Sequence, residues 1–365
     1  MLAELVRMKE LEVPVLVQRE LTVVVGGGES AGDTLGYDAC GMELDKRFIS
    51  VPSHAVHGPP AMTPETKARM MKLARAKEQP TVDLLERVSM AELVESVAHM
   101  EEYWSRNSFS GDGPEAGEEG LNQAANWAAS IFAGHGFDVS RPSFREDMTP
   151  QVIAEMRGTE NPERVVIVGA HYDSRGSQGS SPTQRAPGAD DNGSGSAALL
   201  ELARVISESG VQFRHTIRLC LFTGEEQGLI GSRALASAWA EEGQQIIAMF
   251  NADMIGWKRP DESIVLAYMN RSVDLDLTDI SMEITRTFVP ELGVDFTSGC
   301  CSDQQSFYEN GFPAVGFFET PGTAVEYPFY HTSDDLLTHL SSEQIYLMAK
   351  ATMASSIVYA EPVEQ

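Results

Sequence analysis

The chain has 365 residues, 42% of them hydrophobic, with 27 Lys+Arg against 54 Asp+Glu and a formal charge of −27. That length suits one large catalytic domain plus an additional segment, and the composition is that of a soluble globular protein with no apolar run long enough to span a bilayer. The acidic excess argues against nucleic acid or an anionic membrane as a partner.

The charge is unevenly spread: residues 1–80 hold 10 basic and 11 acidic residues, whereas 81–365 hold 17 and 43. This step places an expected boundary near 85, with an N-terminal extension over 1–85 and a catalytic domain over 86–365. The opening MLAELVRMKELEVPVLVQRE interrupts every apolar stretch with charge and lacks the continuous apolar core of a secretory leader. Four cysteines (Cys40, Cys220, Cys300 and Cys301) are too few for a disulfide scaffold. At the adjacent Cys300 and Cys301 two free thiols are expected, with a vicinal disulfide as the alternative.

In chain order, LTVVV (21–25) is the first strand-like run. Thr63 and Pro64 read as the N-cap and first residue of a helix through ETKARMMKLARAK. A second helical stretch is expected over 82–105, followed by a Gly-, Pro- and acid-rich loop over 107–120. Leu121, Ala124, Trp127, Ala128, Ile131 and Phe132 recur at helical spacing, and Gly134 supplies the stop. Then apolar runs at 152–156, 164–170, 216–222, 246–252, 263–269 and 313–319 alternate with helical ones. Several are nearly continuous in Val, Ile, Leu and Phe, the pattern of strands buried on both faces. One intervening helix, SAALLELARVIS (196–207), carries an apolar stripe, and Ser341 with Gln344 opens a final helix through Val358. The expected architecture is α/β, three layers (α/β/α) around a central mixed, mostly parallel sheet.

Polar, metal-competent residues follow four of these strands: His171-Tyr172-Asp173, Gly188-Ala189-Asp190-Asp191-Asn192-Gly193, Gly224-Glu225-Glu226-Gln227-Gly228 and Asn251-Ala252-Asp253. Carboxyl ends of strands are where α/β sheets display their sites. A fifth piece, His331, lies in the polar loop YHTSDD. A carboxylate beside an apolar strand is costly unless a cation or hydrogen bonds compensate. Repetition at four strand ends therefore points to metal, and two imidazoles with several carboxylates suit zinc, manganese or cobalt.

Taken together, HYDS (171–174), APGADDNGSG (186–195), GEEQGLIGS (224–232), NADMIG (251–256), CSDQQSF (301–307) and YHTSDD (330–335) resemble, in order, the motifs of the zinc-dependent metalloaminopeptidases of the bacterial and fungal leucyl aminopeptidase type. The resemblance spans about residues 90–360 and implies the zinc-exopeptidase fold, two divalent ions, peptide substrates with a free N-terminus, and a secreted or extracellular setting. Carried over by residue, it implies that Asp190 bridges both ions, that His171 and Asp253 complete one site, and that Glu226 and His331 complete the other. Glu225 is implied as general base for a water activated between the ions. Asp173 is implied to orient the His171 imidazole. A non-proline cis peptide is implied between Asp190 and Asp191. Met254, Phe318 and Tyr330 match the pocket for an apolar first side chain, where Gly316 stands in place of a bulkier residue.

Three other readings belong to the same fold: a glutaminyl-peptide cyclase-like transferase, a carboxypeptidase using Arg175 or Arg185, and a non-catalytic binding protein. Retention of all five ligands together with Glu225 favours the hydrolase. The remaining histidines, His54, His57, His99, His135, His215 and His339, lack neighbouring carboxylate motifs and read as surface or satisfied core residues.

Overall fold

The strand Asn161–His171 (β5) lies near the middle of the main sheet, and its side chains alternate between two apolar layers. Val166, Val168 and Ala170 face one layer, while Val165 and Ile167 face the other, as the two-residue period of a pleated strand requires. His215–Phe222 (β7) does the same, with Ile217, Leu219 and Leu221 on one side and Cys220 and Phe222 on the other. Strands sandwiched this way can carry unbroken apolar sequence, and each fully buried Val, Ile or Leu contributes on the order of 1.5–3 kcal/mol.

The structure, a computed structural model, describes the strands Val15–Val17 (β1) and Val23–Val25 (β2) and residues 58–363, except 114, 116–117, 177–180, 298 and 300. β1 and β2 pair antiparallel, Val15 opposite Val25, within a unit spanning Met1–Val56. The second unit, His57–Gln365, contains everything discussed below. The boundary expected at 85/86 falls inside that unit. Pro64–Ala76 (α1) and Gln79–Glu86 (α2) pack there against the C-terminal helices.

Eight strands form its main sheet. They are Asp138–Ser140 (β3), Val152–Met156 (β4), β5, β7, Gln245–Ala252 (β8), Val265–Met269 (β9), Gly293–Thr297 (β10) and Ala314–Phe318 (β11). Their order is β10-β9-β11-β8-β5-β7-β4-β3. The central four, β11, β8, β5 and β7, are mutually parallel, and the antiparallel pairings lie toward the edges. The fold is therefore α/β with a mixed, mostly parallel sheet, as the apolar runs indicate.

One face of the sheet is covered by Met90–Glu102 (α3), Leu121–Gly134 (α4), Gly195–Ser209 (α5), Leu275–Phe288 (α7) and Ser342–Ala360 (α9). The other is covered by Ile230–Glu241 (α6) and Gln304–Glu309 (α8). From Ile345 onward nearly every residue of α9 is buried, so it is a core helix with no solvent face. The long helix expected over 82–105 is two helices, because Ser89 caps α3 through the Glu92 N–H and its own N–H is held by Glu201. The short strand Gln212–Phe213 (β6) pairs with Pro362–Val363 (β12), fastening the C-terminus. Among the described residues no helix is long and apolar enough to cross a membrane.

Glu361, between α9 and β12, accepts from Arg69 of α1 at 2.6 Å and lies 3.3 Å from His215. Burial raises its carboxyl pKa, but His215 and Arg69 outweigh this and hold it at about 2. A depressed acid stabilises the fold fully above its unfolded value near 4.5 and loses that contribution as pH falls through the folded value. Arg69 is half-exposed, which discounts the effect to about 1–2 kcal/mol. Glu361→Gln is therefore expected to lower Tm at neutral pH by roughly 2–4 °C. Melts at descending pH check this: the gap to wild type should close between about pH 5 and pH 2, and a constant gap would contradict the assignment.

Candidate metal centre

The site forms where β5, β7 and β8 end. His171 is the last residue of β5, Asp253 follows β8, and Glu225 and Glu226 follow β7 by three and four residues. His331 comes from the loop ahead of α9. His171 Nε2 lies 3.2 Å from Asp253 Oδ1 and 3.2 Å from Asp191 Oδ1. His331 Nε2 lies 3.1 Å from Asp191 Oδ2 and 3.0 Å from Glu226 Oε2. Two three-residue donor sets result, His171–Asp191–Asp253 and Asp191–Glu226–His331, each with its donor atoms within 4.8 Å of one another.

The shared carboxylate is thus Asp191, one oxygen to each imidazole, and the expectation of Asp190 in that position is corrected. The implied cis peptide also lies one residue later, at Asp191–Asn192. The physical reason is that the two neighbouring side chains leave the loop in different directions. Asp190 turns behind the site, where its Oδ1 accepts from the Gly256 N–H at 2.9 Å and its carboxyl neighbours Glu319. Burial pushes both Asp190 and Glu319 well above the ordinary carboxylate range, so this pair retains a proton. Burial also raises Asp191, but His171 and His331 reverse the effect and hold it well below that range.

The loop carrying Asp191 is stitched down on all sides. Asp335 accepts from the N–H groups of Asp190 and Asp191, each at 3.0 Å, and from the Tyr327 hydroxyl at 2.8 Å. Asn192 donates to the Ala252 carbonyl at the end of β8 and accepts from the Gly195 N–H. The fully buried Arg106 donates to the carbonyls of Met100, Tyr172, Pro187 and Gly188. Gly188 has φ +53°, and a Cβ there would meet the Asp191 carbonyl oxygen at 2.5 Å, so only glycine fits.

Asp173 couples His171 to the loop that carries Glu225 and Glu226. The nearest acceptor to His171 Nδ1 is the Asp173 carbonyl, at 3.1 Å, with the carboxylate at 3.6 Å. That carboxylate accepts from the Ser108 hydroxyl at 2.9 Å and from the N–H groups of Glu225 and Glu226 at 3.4 Å. Ser108 in turn accepts from the Gly224 N–H at 2.9 Å. Glu225 is buried, and burial pushes its carboxyl well above the usual range against the pull of His171.

Met254, Phe318 and the half-buried Tyr330 come together in one apolar cluster with Trp257, Met269 and Tyr327. The cluster abuts the centre at both ends, since Met254 follows Asp253 and the Tyr330 ring stacks on His331 at 3.6 Å. At Gly316 the room for a side chain is taken by β9, because a Cβ there would lie 2.6 Å from Met269 Sδ. Cys220 is a buried free thiol, whereas Cys301 is disulfide-bonded, which corrects the expectation of a free thiol there; Cys300 lies outside the described residues. Arg106, Ser108, Asp335, Tyr327 and Glu319 escape sequence reasoning. Of these, Asp335 alone lies within one of the motifs, YHTSDD.

The donor set fits divalent metal. Two imidazoles and three carboxylates converge without lysine, and the second oxygen of Glu226, buried, has no hydrogen-bond partner. Sheet and centre together define an α/β protein with candidate metal-binding donor sets at the carboxyl ends of parallel strands. Residues 151–356 match the sequence profile of peptidase family M28, and the chain belongs to that family; it is a metallopeptidase acting on peptides. It is 29% identical over 272 residues to a probable leucine aminopeptidase of Arthroderma benhamiae, covering 73% of this chain and 72% of that one. In fold it is similar to LapB from Legionella pneumophila, with TM-score 0.74, 20% identity and 97% and 96% of the two chains covered. It is also similar to a glutaminyl cyclase from Bacteroides thetaiotaomicron, with TM-score 0.60, 14% identity and 74% and 98% covered.

The two aspartates are separable by experiment. Asp191→Asn is expected to weaken zinc binding by more than the roughly 10–100-fold typical of outer-shell substitutions, whereas Asp190→Asn, which keeps the Gly256 bond, stays within that range. Metal analysis after dialysis against graded chelator checks this, and stronger loss in the Asp190 variant would restore Asp190 as the bridge.

Proposed function

We propose that this peptidase is an aminopeptidase that releases an apolar N-terminal residue, with two divalent ions at the paired donor sets and Glu225 as general base. The observation that carries the reading is Asp191, whose two oxygens face His171 and His331 while Asp253 and Glu226 complete the two sides. Two zinc ions bound there would supply Lewis-acid polarisation of the scissile carbonyl and of water.

The chain's own residues supply the rest. Glu225, fixed next to Glu226 by the Asp173 carboxylate, takes the proton of the attacking water and returns it to the leaving amine. Burial raises its carboxyl pKa, the direction that favours proton uptake from water, and activity should fall on the acid side as it protonates. The carboxylates of Glu225 and Asp253 suit the ammonium of a free N-terminus, and the Met254–Phe318–Tyr330 cluster suits an apolar side chain. The leucine aminopeptidase relative supports the same direction. His171, Asp191 and Asp253 favour this over a one-metal cyclase, since they furnish a second donor set.

Glu225→Gln should keep its metal and lose about 10²–10⁴-fold in turnover on leucyl anilide. A panel of Leu-, Ala-, Lys-, Glu- and Gln-anilides, with and without chelator, reads both the base and the pocket. Near-normal turnover by Glu225→Gln would remove the base, and preference for Gln with cyclised product would favour the transferase.

A further inference from the structure

Two guanidinium groups are buried around the centre, and they differ in one respect. Arg106 has every nitrogen engaged by backbone carbonyls. Arg175, in the loop after β5, is 7% exposed, yet its buried Nε and Nη1 have no hydrogen-bond partner. Its closest ion-pair contact is the metal-ligand oxygen Glu226 Oε2, at 3.8 Å from Nε, beyond hydrogen-bonding distance. A buried donor without an acceptor is costly, more so when charged, and a guanidinium suits a carboxylate because its planar donors can bind both oxygens.

The surroundings restrict what Arg175 can receive. Buried groups at the strand ends are overwhelmingly acidic: Asp173, Asp191, Glu225, Glu226 and Asp253. A substrate ammonium is drawn to these, and Arg175 is the buried guanidinium among the described residues that has donors left over for a substrate carboxylate. Because Arg175 adjoins Glu226, the group it reaches lies close to the scissile bond. One residue of extended chain spans about 3.3–3.6 Å. A carboxylate at this depth therefore belongs to the residue immediately after the cleaved bond.

We infer that Arg175 binds the α-carboxylate of the residue following the scissile bond, making dipeptides with both ends free the favoured substrate class. The inference rests on the aminopeptidase reading above and names its substrates more closely. The pairing forms with Arg175 already buried, so the donors are desolvated before substrate arrives and the discrimination is large. Longer peptides present an amide carbonyl at that position, which accepts without neutralising the charge.

The test compares kcat/KM for Leu-Gly, Leu-Gly-amide, Leu-Gly-Gly and leucyl anilide in wild type, Arg175→Gln and Arg175→Lys, with metal content and Tm measured for each. Wild type is expected to favour Leu-Gly over its amide and over Leu-Gly-Gly by about tenfold or more, the scale of a charge-assisted hydrogen bond. In Arg175→Gln that ratio should collapse toward one, while Arg175→Lys, which keeps the charge without the fork, recovers part of it. Equal loss on all four substrates with an unchanged acid-to-amide ratio would overturn the inference and make Arg175 a positioning residue for Glu226. An active wild type with no acid preference would overturn it too. Failure of wild type on every free-amine substrate would overturn the aminopeptidase reading, and this inference with it.

Discussion

Carboxylates buried at the strand ends are the constraint on which the rest of this structure depends. Asp173, Asp190, Asp191, Glu225, Glu226, Asp253, Asp303, Glu319 and Asp335 are all buried, in a region whose buried basic side chains are Arg106, Arg175 and His171. An ionised carboxylate taken from water without compensation costs several kcal/mol even after relaxation. The fold answers in three ways. Asp173 and Asp335 are met by backbone N–H groups from neighbouring ligand loops. Asp190 and Glu319 retain a proton, and Asp303 is pushed up to about 7 by burial against the pull of His171. Asp191, Glu226 and Asp253 face imidazoles instead, and these three are the carboxylates that a divalent ion would neutralise.

The same hydrogen bonds that settle the acids also fix the ligands relative to one another. Asp335 stands four residues after His331 and holds the N–H groups of Asp190 and Asp191, so the loop bearing one histidine and the loop bearing the shared carboxylate are a single unit. Asp173 does the equivalent on the other side, joining His171 to the N–H groups of Glu225 and Glu226 through its carbonyl and carboxylate. Preorganisation of this kind would hold the candidate donors in place ahead of an ion and lower the ordering cost of binding one.

How much of this was legible follows from what each signal encodes. The central strands read clearly because burial on both faces demands continuous apolar sequence. β3, β6, β10 and β12 did not, being strands of two to five residues without a run to mark them. His171, Glu226 and Asp253 stand out in the sequence as polar residues at or after the ends of apolar strands, and His331 as a histidine in a polar loop; the structure brings these four together around Asp191. The choice between Asp190 and Asp191 was not, because it depends on the backbone path of one loop, and adjacent identical side chains give no sequence sign of which one turns inward. Arg106 and Ser108 act at the centre from a stretch with no motif spacing. Their role exists only once the chain folds back to bring them beneath Tyr172 and Gly224.

The resemblance in fold to a glutaminyl cyclase makes the sheet uninformative about reaction type, since the same layers position both chemistries. What separates them is how much of the centre a reaction needs. Cyclisation brings its own nucleophile, the substrate amine, and requires one polarising cation. Hydrolysis must activate a water, protonate a departing amine and hold a free N-terminus in place. On the proposed reading those demands would account for a second donor set at His171 and Asp253, a buried Glu225 held through Asp173, and buried carboxylates suited to an ammonium. A transferase would gain nothing from maintaining Asp191 between two imidazoles, because only one side of that carboxylate would be used.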